Sequence, residues 1–246
     1  MSKVDLPVRA GILNLYKPAW KTSAQYVYRL RPLFGIRKVG HAGTLDPFAD
    51  GVLIACLGSG TKLVGRLMAL PKCYLTTLRL GVTNECFDME KPCYPVPGAV
   101  SLPDATVEEA VARLARQTEQ VPPAFSAARV GGIYSYHLAR SGRDIPHQAK
   151  SVRIDHIRVI EYRWPTLRLD IQCGRGTYIR AMARDLGQIL GCGAVCETLT
   201  RAAVGPFRVE DSVRLDSASP EQVREALIPV DEARALFADP GPRSQP

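Results

Sequence analysis

Residues 40–57 read GHAGTLDPFADGVLIACL, a loop rich in glycine, aspartate and proline that leads directly into an apolar run. The run at 52–57 has the length of a strand and no charged residue, which is typical of a strand at the centre of a sheet. Pro47 disfavours helical backbone at Asp46 and pushes it toward an extended conformation. The stretch therefore predicts a carboxylate held at the mouth of a sheet, where active sites gather, although such runs also form ordinary turns.

Strand and helix patterns alternate irregularly on both sides of this run. Two-residue alternation predicts further strands at 11–16, 73–82, 151–164, 166–173 and 194–204, the third and fourth joined as a hairpin at Pro165. Helical spacing predicts helices at 23–33, 61–70, 105–117, 134–140 and 177–190. Ser23 and Thr177 are expected to cap two of them, and Gly191 to end the last. Because there is no strict strand–helix–strand order, we predict an α+β fold with a large mixed sheet.

The charge of the chain favours a polyanionic partner. Its 246 residues include 32 basic and 24 acidic side chains, which gives a formal net charge of +8. Of the basic residues, 24 are Arg and 8 are Lys, and the planar guanidinium matches pairs of phosphate oxygens. RNA or DNA is therefore the first candidate partner, while a genome that favours arginine codons is the alternative.

Several classes of protein are disfavoured by the sequence. No run approaches the roughly 18 apolar residues of a membrane span, and the N-terminus lacks the apolar region of a signal peptide. We therefore expect a cytoplasmic protein with no membrane partner. The seven cysteines are odd in number and contain no CxxC pair, which favours free thiols over disulfides or a zinc site. We expect no metal.

The chain divides into a long first part, 1–210, and a short C-terminal segment, 211–246. The segment has two helical patches, near 219–227 and 231–237. It ends in ADPGPRSQP, which is typical of a disordered terminus.

Two further motifs carry residues suited to RNA chemistry. Arg180 lies in the first turn of the helix predicted at 177–190, where a cation opposes the helix dipole by roughly 0.3–1 kcal/mol. This indicates a compensating carboxylate or phosphate nearby, unless the arginine is simply exposed. Lys72 and Tyr74 share one face of a predicted strand. A cation beside an aromatic ring suits a stacked base and its phosphate, although an ordinary amphipathic strand gives the same pattern.

These motifs, in this order, resemble the TruB family of pseudouridine synthases. The resemblance covers about residues 11–210. It rests on these segments: Lys17-Pro18 with Thr22-Ser23, GHAGTLDPFADGVL (40–53), Gly60-Thr61-Lys62, Lys72-Cys73-Tyr74, QVPPAFSA (120–127), GTYIR (176–180) with ARDLG (183–187), and VGPF (204–207).

The resemblance implies an isomerase that converts uridine 55 in the TΨC loop of tRNA to pseudouridine by an Asp-dependent, base-flipping mechanism. It implies the pseudouridine synthase fold, with a mostly antiparallel sheet flanked by helices and loops. It also implies a monomer that needs no cofactor and no guide RNA. Asp46 is similar to the catalytic aspartate, Arg180 to its salt-bridge partner, Tyr74 to the aromatic residue that packs on the base, and His41 to a residue that holds the flipped-out loop. The remaining substrate-binding residues are expected to be Lys62, Lys72, Tyr178, Leu199 and Arg140.

The sequence departs from the family pattern at three places. Trp20 stands where the family usually has glycine, and Arg129 where it has lysine. The acidic motif that follows the Tyr74 strand is altered, which leaves open whether Asp88 or Glu85 replaces its carboxylates. The C-terminal segment is expected to be too short for the full PUA domain of many relatives.

Three rival functions remain open on sequence alone. The first is a guide-RNA-dependent synthase, and the second is a tRNA-folding chaperone without catalysis. The third is a glycosidase-like hydrolase in which Asp50 supplies the second carboxylate. The sequence also leaves open whether Asp46 attacks C1′, adds to C6 or removes the C2′ proton.

Overall fold

The computed structural model describes residues 10–126, 129–130, 133–135 and 148–236. The strands are β1 (Gly11–Lys17), β2 (Val39–His41), β3 (Asp50–Leu57), β4 (Lys72–Leu80), β5 (Val82–Thr83), β6 (Tyr94–Pro95), β7 (Glu119–Gln120), β8 (Arg129–Val130), β9 (Ile133–Tyr134), β10 (Lys150–Ser151), β11 (Ile154–Arg163), β12 (Thr166–Cys173), β13 (Ala194–Val204), β14 (Phe207–Arg208) and β15 (Ile228–Pro229). The α-helices are α1 (Ser23–Tyr28), α2 (Leu30–Phe34), α3 (Val64–Ala69), α4 (Asp104–Ala115), α5 (Ile179–Leu190), α6 (Pro220–Glu225) and α7 (Val230–Ala235), and a 3-10 helix spans Gly58–Leu63.

Among the described residues, nine strands form one sheet in the order β11-β12-β4-β13-β3-β1-β15, with β14 and β2 paired beside β13 and β3. The pair β13–β3 is parallel, and the other pairs are antiparallel. The prediction of an α+β fold with a mixed, mostly antiparallel sheet is therefore confirmed. The apolar run at 52–57 lies in β3 with neighbours on both sides, as expected for a central strand.

The register of the sheet brings distant parts of the sequence to one level. Tyr74 of β4 lies opposite Arg201 of β13, and Arg201 lies opposite Gly51 of β3. Gly51 in turn lies opposite Lys17 of β1. This row crosses the sheet at the end where β3 begins, immediately after the loop that carries Asp46.

Helices cover both faces of the sheet. The amphipathic helices α4 and α5 pack with β4, β12 and β13 in the largest apolar cluster. The four predicted inward positions of α4, Val107, Ala110, Val111 and Leu114, are all buried, and each large side chain contributes about 1.5–3 kcal/mol by leaving water. Helices α1, α2 and α6 pack with β1 and β3 in a second cluster.

Several local predictions need correction. The helix expected at 23–33 is two short helices, and its cap is Thr22, which accepts a hydrogen bond from the Gln25 backbone N–H. Thr177 is not a cap either, because α5 follows Tyr178 and has no side-chain cap. Gly191 does end α5, with φ 71°, as expected. The loop predicted ahead of the apolar run at 52–57 overlaps the short strand β2 at its start.

The described residues after 210 pack against the same sheet. Strand β15 pairs with β1 and forms the edge of the sheet on that side, and Ala233 of α7 is fully buried. The helices expected in this segment are confirmed as α6 and α7. Most of the helix expected at 134–140, and the tail from 237, lie outside the described residues. No helix in the described part of the chain is long and apolar enough to cross a membrane.

Candidate active site

Asp46 and Arg180 meet in a two-pronged ion pair, although 134 residues separate them in sequence. Arg180 Nε donates to Asp46 Oδ2 at 2.8 Å, and Nη2 donates to Oδ1 at 3.1 Å. The Arg180 side chain is 4% exposed, whereas that of Asp46 is 29% exposed. Two parallel hydrogen bonds fix a carboxylate in orientation as well as in position. Asp46 is therefore held rigidly with one edge open to solvent.

Asp88 is the second carboxylate on Arg180. Its Oδ2 lies 3.2 Å from Arg180 Nη1, and its side chain is 2% exposed. Burial raises the pKa of Asp88, and the Arg180 charge opposes that rise. Burial alone lowers the pKa of Arg180, but Asp46 and Asp88 outweigh it, so that the net pKa lies above its ordinary value. The guanidinium therefore stays protonated between two carboxylates.

Asn84 shapes the loop that presents Asp88. Its Oδ1 accepts from the Phe87 backbone N–H at 2.7 Å, and its Nδ2 donates to the Asp88 carbonyl at 2.7 Å. Phe87 itself has a positive φ of 57°. Glu85 points away and pairs with Lys91 at 2.6 Å on the surface. Of the two acidic residues that the sequence left as alternatives, Asp88 is therefore the one that reaches Arg180.

Arg201 is a second buried arginine, and it holds the backbone of the Asp46 loop. Its Nε donates to the Val52 carbonyl at 2.7 Å, and its two other nitrogens donate to the carbonyls of Thr44 and Gly43 at 3.3 and 3.2 Å. Gly51 lets the strands come close enough for this, because a Cβ there would lie 2.4 Å from the Arg201 carbonyl oxygen. The loop is thus tied to β13 from its inner side.

Ser23 and Lys17 hold the same loop from the N-terminal side. Ser23 Oγ accepts from the Leu45 backbone N–H at 2.9 Å and donates to the Leu45 carbonyl at 2.8 Å. Lys17 Nζ, fully buried, donates to the Pro47 carbonyl at 3.2 Å. Burial lowers the pKa of Lys17 to about 8, while Asp50 and Asp46 oppose that shift. Leu45 and Pro47, the residues on either side of Asp46, are therefore both anchored to the N-terminal segment that carries Lys17 and Ser23.

Tyr74, Leu199 and Tyr178 are the predicted site residues that belong to the neighbourhood of the Asp46 loop. Tyr74 and Leu199 belong to the apolar cluster that also contains Leu45 and Phe48 of the Asp46 loop. Burial raises the pKa of Tyr74, which favours a neutral phenol. Burial also raises the pKa of Tyr178, and its ring lies close enough to Asp46 and Arg180 for both charges to act on it. Tyr74 and Tyr178 thus lie within range of the Asp46 charge, and Leu199 shares an apolar cluster with the Asp46 loop.

Gln120 fixes the start of the helix that carries Arg180. Its Oε1 accepts from the Tyr178 backbone N–H at 2.8 Å, and its Nε2 donates to the Tyr178 carbonyl at 3.1 Å. The amide takes the place of a side-chain cap.

His41 ends β2 close to Arg201. Burial lowers the pKa of His41, the Arg201 charge lowers it further, and a hydrogen bond to Gly43 opposes both. Its Nδ1 is buried without a hydrogen-bond partner among the described residues. The imidazole is therefore neutral near pH 7.

Two predicted residues occupy other positions, and one cannot be placed. Lys62 is exposed and follows β3 at the end opposite Asp46; the distance along the strand from Gly51 to Leu57 is about 20 Å. Lys72 is buried, and its Nζ donates to the Met68 carbonyl and, at 2.6 Å, to the Leu70 carbonyl, so its ammonium faces the end of α3 and not a phosphate. Arg140 lies outside the described residues.

Two surface depressions of about 490 and 480 Å³ lie elsewhere on the described residues. One borders Arg31 and Arg37, and the other lies between α4 and α5. Neither is lined by Asp46.

Arg201 and Lys17 were missed as site residues from the sequence. The available signal was a cation at an inward position of an otherwise apolar strand, because a buried cation requires partners. That signal does not tell which backbone supplies the partners.

A family model described as "TruB family pseudouridylate synthase (N terminal domain)" matches residues 31–179. The chain belongs to the TruB family. It is 38% identical over 224 residues to the tRNA pseudouridine synthase B of Clostridium novyi (strain NT), covering 91% of this chain and 77% of that protein. It is 41% identical over 212 residues to the enzyme of the same name from Phocaeicola vulgatus, covering 84% of this chain and 90% of that protein.

Solved structures confirm the pseudouridine synthase fold of this TruB family member. A chain of a Cbf5-Nop10-Gar1 complex matches with a TM-score of 0.72 and 23% identity, and covers 96% of this chain. A chain of an H/ACA RNP bound to a substrate RNA containing 2′-deoxyuridine matches with a TM-score of 0.68 and 22% identity. This protein spans 64% of the length of each of those two chains. At such identities the likeness concerns the fold alone.

Proposed function

We propose that this TruB family protein is a tRNA pseudouridine synthase that converts uridine 55 of the TΨC loop, with Asp46 as the catalytic residue. The observation that carries the proposal is the geometry of Asp46, an open-edged carboxylate gripped at both oxygens by a buried arginine. Relatives at about 40% identity carry the name tRNA pseudouridine synthase B, which supports tRNA as the substrate.

The reaction is an isomerisation in which atoms and electrons balance without a second reactant. The N1–C1′ bond of uridine breaks, the uracil ring turns, and a C5–C1′ bond forms. C5 then loses its proton, and N1 gains one. Whether Asp46 attacks C1′, adds to C6 or removes the C2′ proton, each route begins with this carboxylate next to the target nucleotide.

Arg180 acts on the reaction by positioning Asp46. Its raised pKa keeps it charged while the carboxylate changes its bonding, and Asp88 holds its other edge. A reacting group misplaced by about 1 Å can cost about 100-fold in rate, so a rigid grip is of direct catalytic value.

The proposed role of Tyr74 is to pack against the target base. A neutral phenol presents an apolar face, and its neighbours Leu45, Phe48 and Leu199 exclude water from the same side. Exclusion of water matters because the detached ring must be recaptured at C5 before water reacts at C1′.

The target uridine must leave its stack, which costs roughly a few kcal/mol. We assign His41 to hold the opened loop, and its neutral imidazole suits stacking within RNA. Tyr178 lines the same site, and Arg140 remains a proposed contact to the RNA. The charge of +8 supports binding to tRNA. We propose that the protein binds tRNA directly as a monomer, in the cytoplasm and without guide RNA. Residues 1–210 form the proposed catalytic unit.

Tritium release from a tRNA transcript labelled with 5-³H-uridine tests this function. We expect about one tritium released per tRNA, with no guide RNA added and no free uracil formed. A matched transcript with cytidine at position 55 should release none. Equal release from both transcripts would overturn the position, and release of uracil would indicate a hydrolase.

A further inference from the structure

Trp20 is an exposed aromatic residue in a strained backbone conformation. Its side chain is exposed, with 63% relative accessibility for the residue, and its φ is 66°. A positive φ is uncommon for residues with a side chain, whereas glycine adopts it freely. The indole ring is not needed for packing in the described fold, and glycine would adopt this positive φ without strain. A tryptophan at this position is therefore explained neither by local conformation nor by burial.

The position of Trp20 is fixed with respect to Asp46. Its backbone N–H donates to the Pro47 carbonyl at 2.6 Å, one residue after the proposed catalytic aspartate. Lys17 Nζ also joins the two segments, because it donates to the carbonyls of Pro18 and Lys21 as well as to that of Pro47. The turn that carries Trp20 and the loop that carries Asp46 thus form one rigid edge.

The chemistry around Trp20 suits RNA. Lys21, the next residue, is exposed, and the chain as a whole carries a charge of +8. Aromatic side chains flanked by cations bind unpaired nucleotides, because every base offers a flat face and every linkage a negative charge. A nucleotide adjacent to a flipped uridine has lost one stacking neighbour, so its face is available.

We propose that Trp20 stacks on an unpaired nucleobase next to the target uridine and thereby strengthens RNA binding at the Asp46 edge. This inference rests on the proposed function, since it takes tRNA as the ligand. It adds a contact with the substrate that depends on the tryptophan ring. Glycine at this position would relieve the strain of the positive φ but could not make the contact.

Two substitutions separate stacking from a structural role. Trp20→Gly removes the ring and relieves the positive φ, so we expect an unchanged or higher Tm together with a Kd for tRNA transcript raised about 5- to 150-fold. Trp20→Phe keeps a flat ring and should bind within about threefold of wild type. A Trp20→Gly variant that binds as tightly as wild type, or one whose weaker binding follows a lower Tm, would overturn the proposal.

Tyr94 offers a matched control. Its exposed fraction is similar, at 64%. It pairs with Thr83, which follows the C-terminal end of β4, whereas Tyr74 lies near the N-terminal end of that strand. We expect Tyr94→Ala to leave the Kd unchanged. An equal loss in Tyr94→Ala and Trp20→Gly would show a general effect of surface aromatics and would count against a specific role of Trp20.

Intrinsic fluorescence reports the contact directly, because the chain has two tryptophans. Trp164 is partly buried, and Trp164→Phe leaves Trp20 as the single indole. Stacking on a base should quench its emission on addition of tRNA, and an unchanged emission at saturation would refute the contact. Conversion of uridine 55 by wild type, measured in parallel, distinguishes the failures: activity without quenching rejects Trp20 alone, and no activity rejects the proposed function.

Discussion

The start of α5 and the middle of β13 each bury an arginine beside the Asp46 loop, but the two arginines have different partners. Arg180 binds the carboxylates of Asp46 and Asp88, and it also donates to the backbone carbonyls of Cys86 and Phe125. Arg201 binds three backbone carbonyls and no carboxylate among the described residues. One arginine holds the functional group, and the other holds the backbone that carries it.

The surroundings of the two arginines differ accordingly. The two carboxylates raise the pKa of Arg180. Arg201 forms no ion pair with the other residues that the structure describes, and its charge adds to burial in lowering the pKa of its neighbours His41, Lys17 and Lys72. A buried cation can therefore serve as a counterion or as a backbone clamp. Its effect on the pKa of nearby groups distinguishes the two roles.

Removal of the counterion should have the largest effect on stability. Arg180→Met leaves Asp88 buried without its partner, so we expect the free energy of unfolding in urea to fall by about 3–5 kcal/mol. Adding Asp88→Asn removes the stranded charge and should restore at least about 1 kcal/mol. Equal stability of the single and double variants would show that the ion pair does not dominate this region.

Removal of the backbone clamp should have a smaller effect on stability. Arg201→Met leaves three carbonyls without this donor, two of them bonded at 3.2 Å or more, and should lower the free energy of unfolding by about 2–4 kcal/mol. The loop should also shift, which lowers kcat about 10- to 100-fold while Kd for tRNA changes little. A change in Kd with normal kcat would mean that Arg201 contacts RNA instead.

The sequence predicts the ion pair better than the clamp. A cation in the first turn of α5 indicated a nearby carboxylate or phosphate, and the resemblance to the TruB family implied Asp46 as its partner. Nothing in β13 indicated which carbonyls would satisfy Arg201, because they belong to a segment about 150 residues earlier whose path depends on Gly43 and Gly51.

Two further predictions needed three-dimensional information. Lys62 is close to Asp46 in sequence but lies beyond the far end of β3, so a motif order cannot place it. Asp88 could not be distinguished from Glu85, because the side-chain bonds of Asn84 decide which carboxylate turns inward.

Asp88 and Glu85, the two acidic residues in the altered motif after β4, provide a matched pair of substitutions. Asp88→Asn loses a charged partner of Arg180, and we expect about 1.5–3 kcal/mol lower stability and about tenfold lower kcat. Glu85→Gln loses an exposed pair with Lys91 and should change stability by less than about 0.5 kcal/mol. Equal effects would contradict the assignment of Asp88 to the Arg180 network.

The smallest expected effect is a shift in the titration of His41, measured by NMR. Its folded pKa lies below the ordinary value of 6.5, so the unfolded chain binds more protons between the two values and stability falls as pH falls through that window. Arg201→Met removes one cause and should raise the pKa of His41, whereas Arg180→Met should leave it unchanged. An equal response to both variants would erase the contrast between the two arginines.

Asp46, in the loop, and Asp50, the first residue of β3, provide the sharpest test of which carboxylate carries the reaction. Asp46 is gripped by Arg180, whereas Asp50 accepts a hydrogen bond from the Tyr16 hydroxyl at 2.7 Å. We expect Asp46→Asn to bind tRNA but to release no tritium from 5-³H-uridine, while Asp50→Asn retains measurable release. Tritium release by Asp46→Asn at the wild-type rate would contradict this expectation.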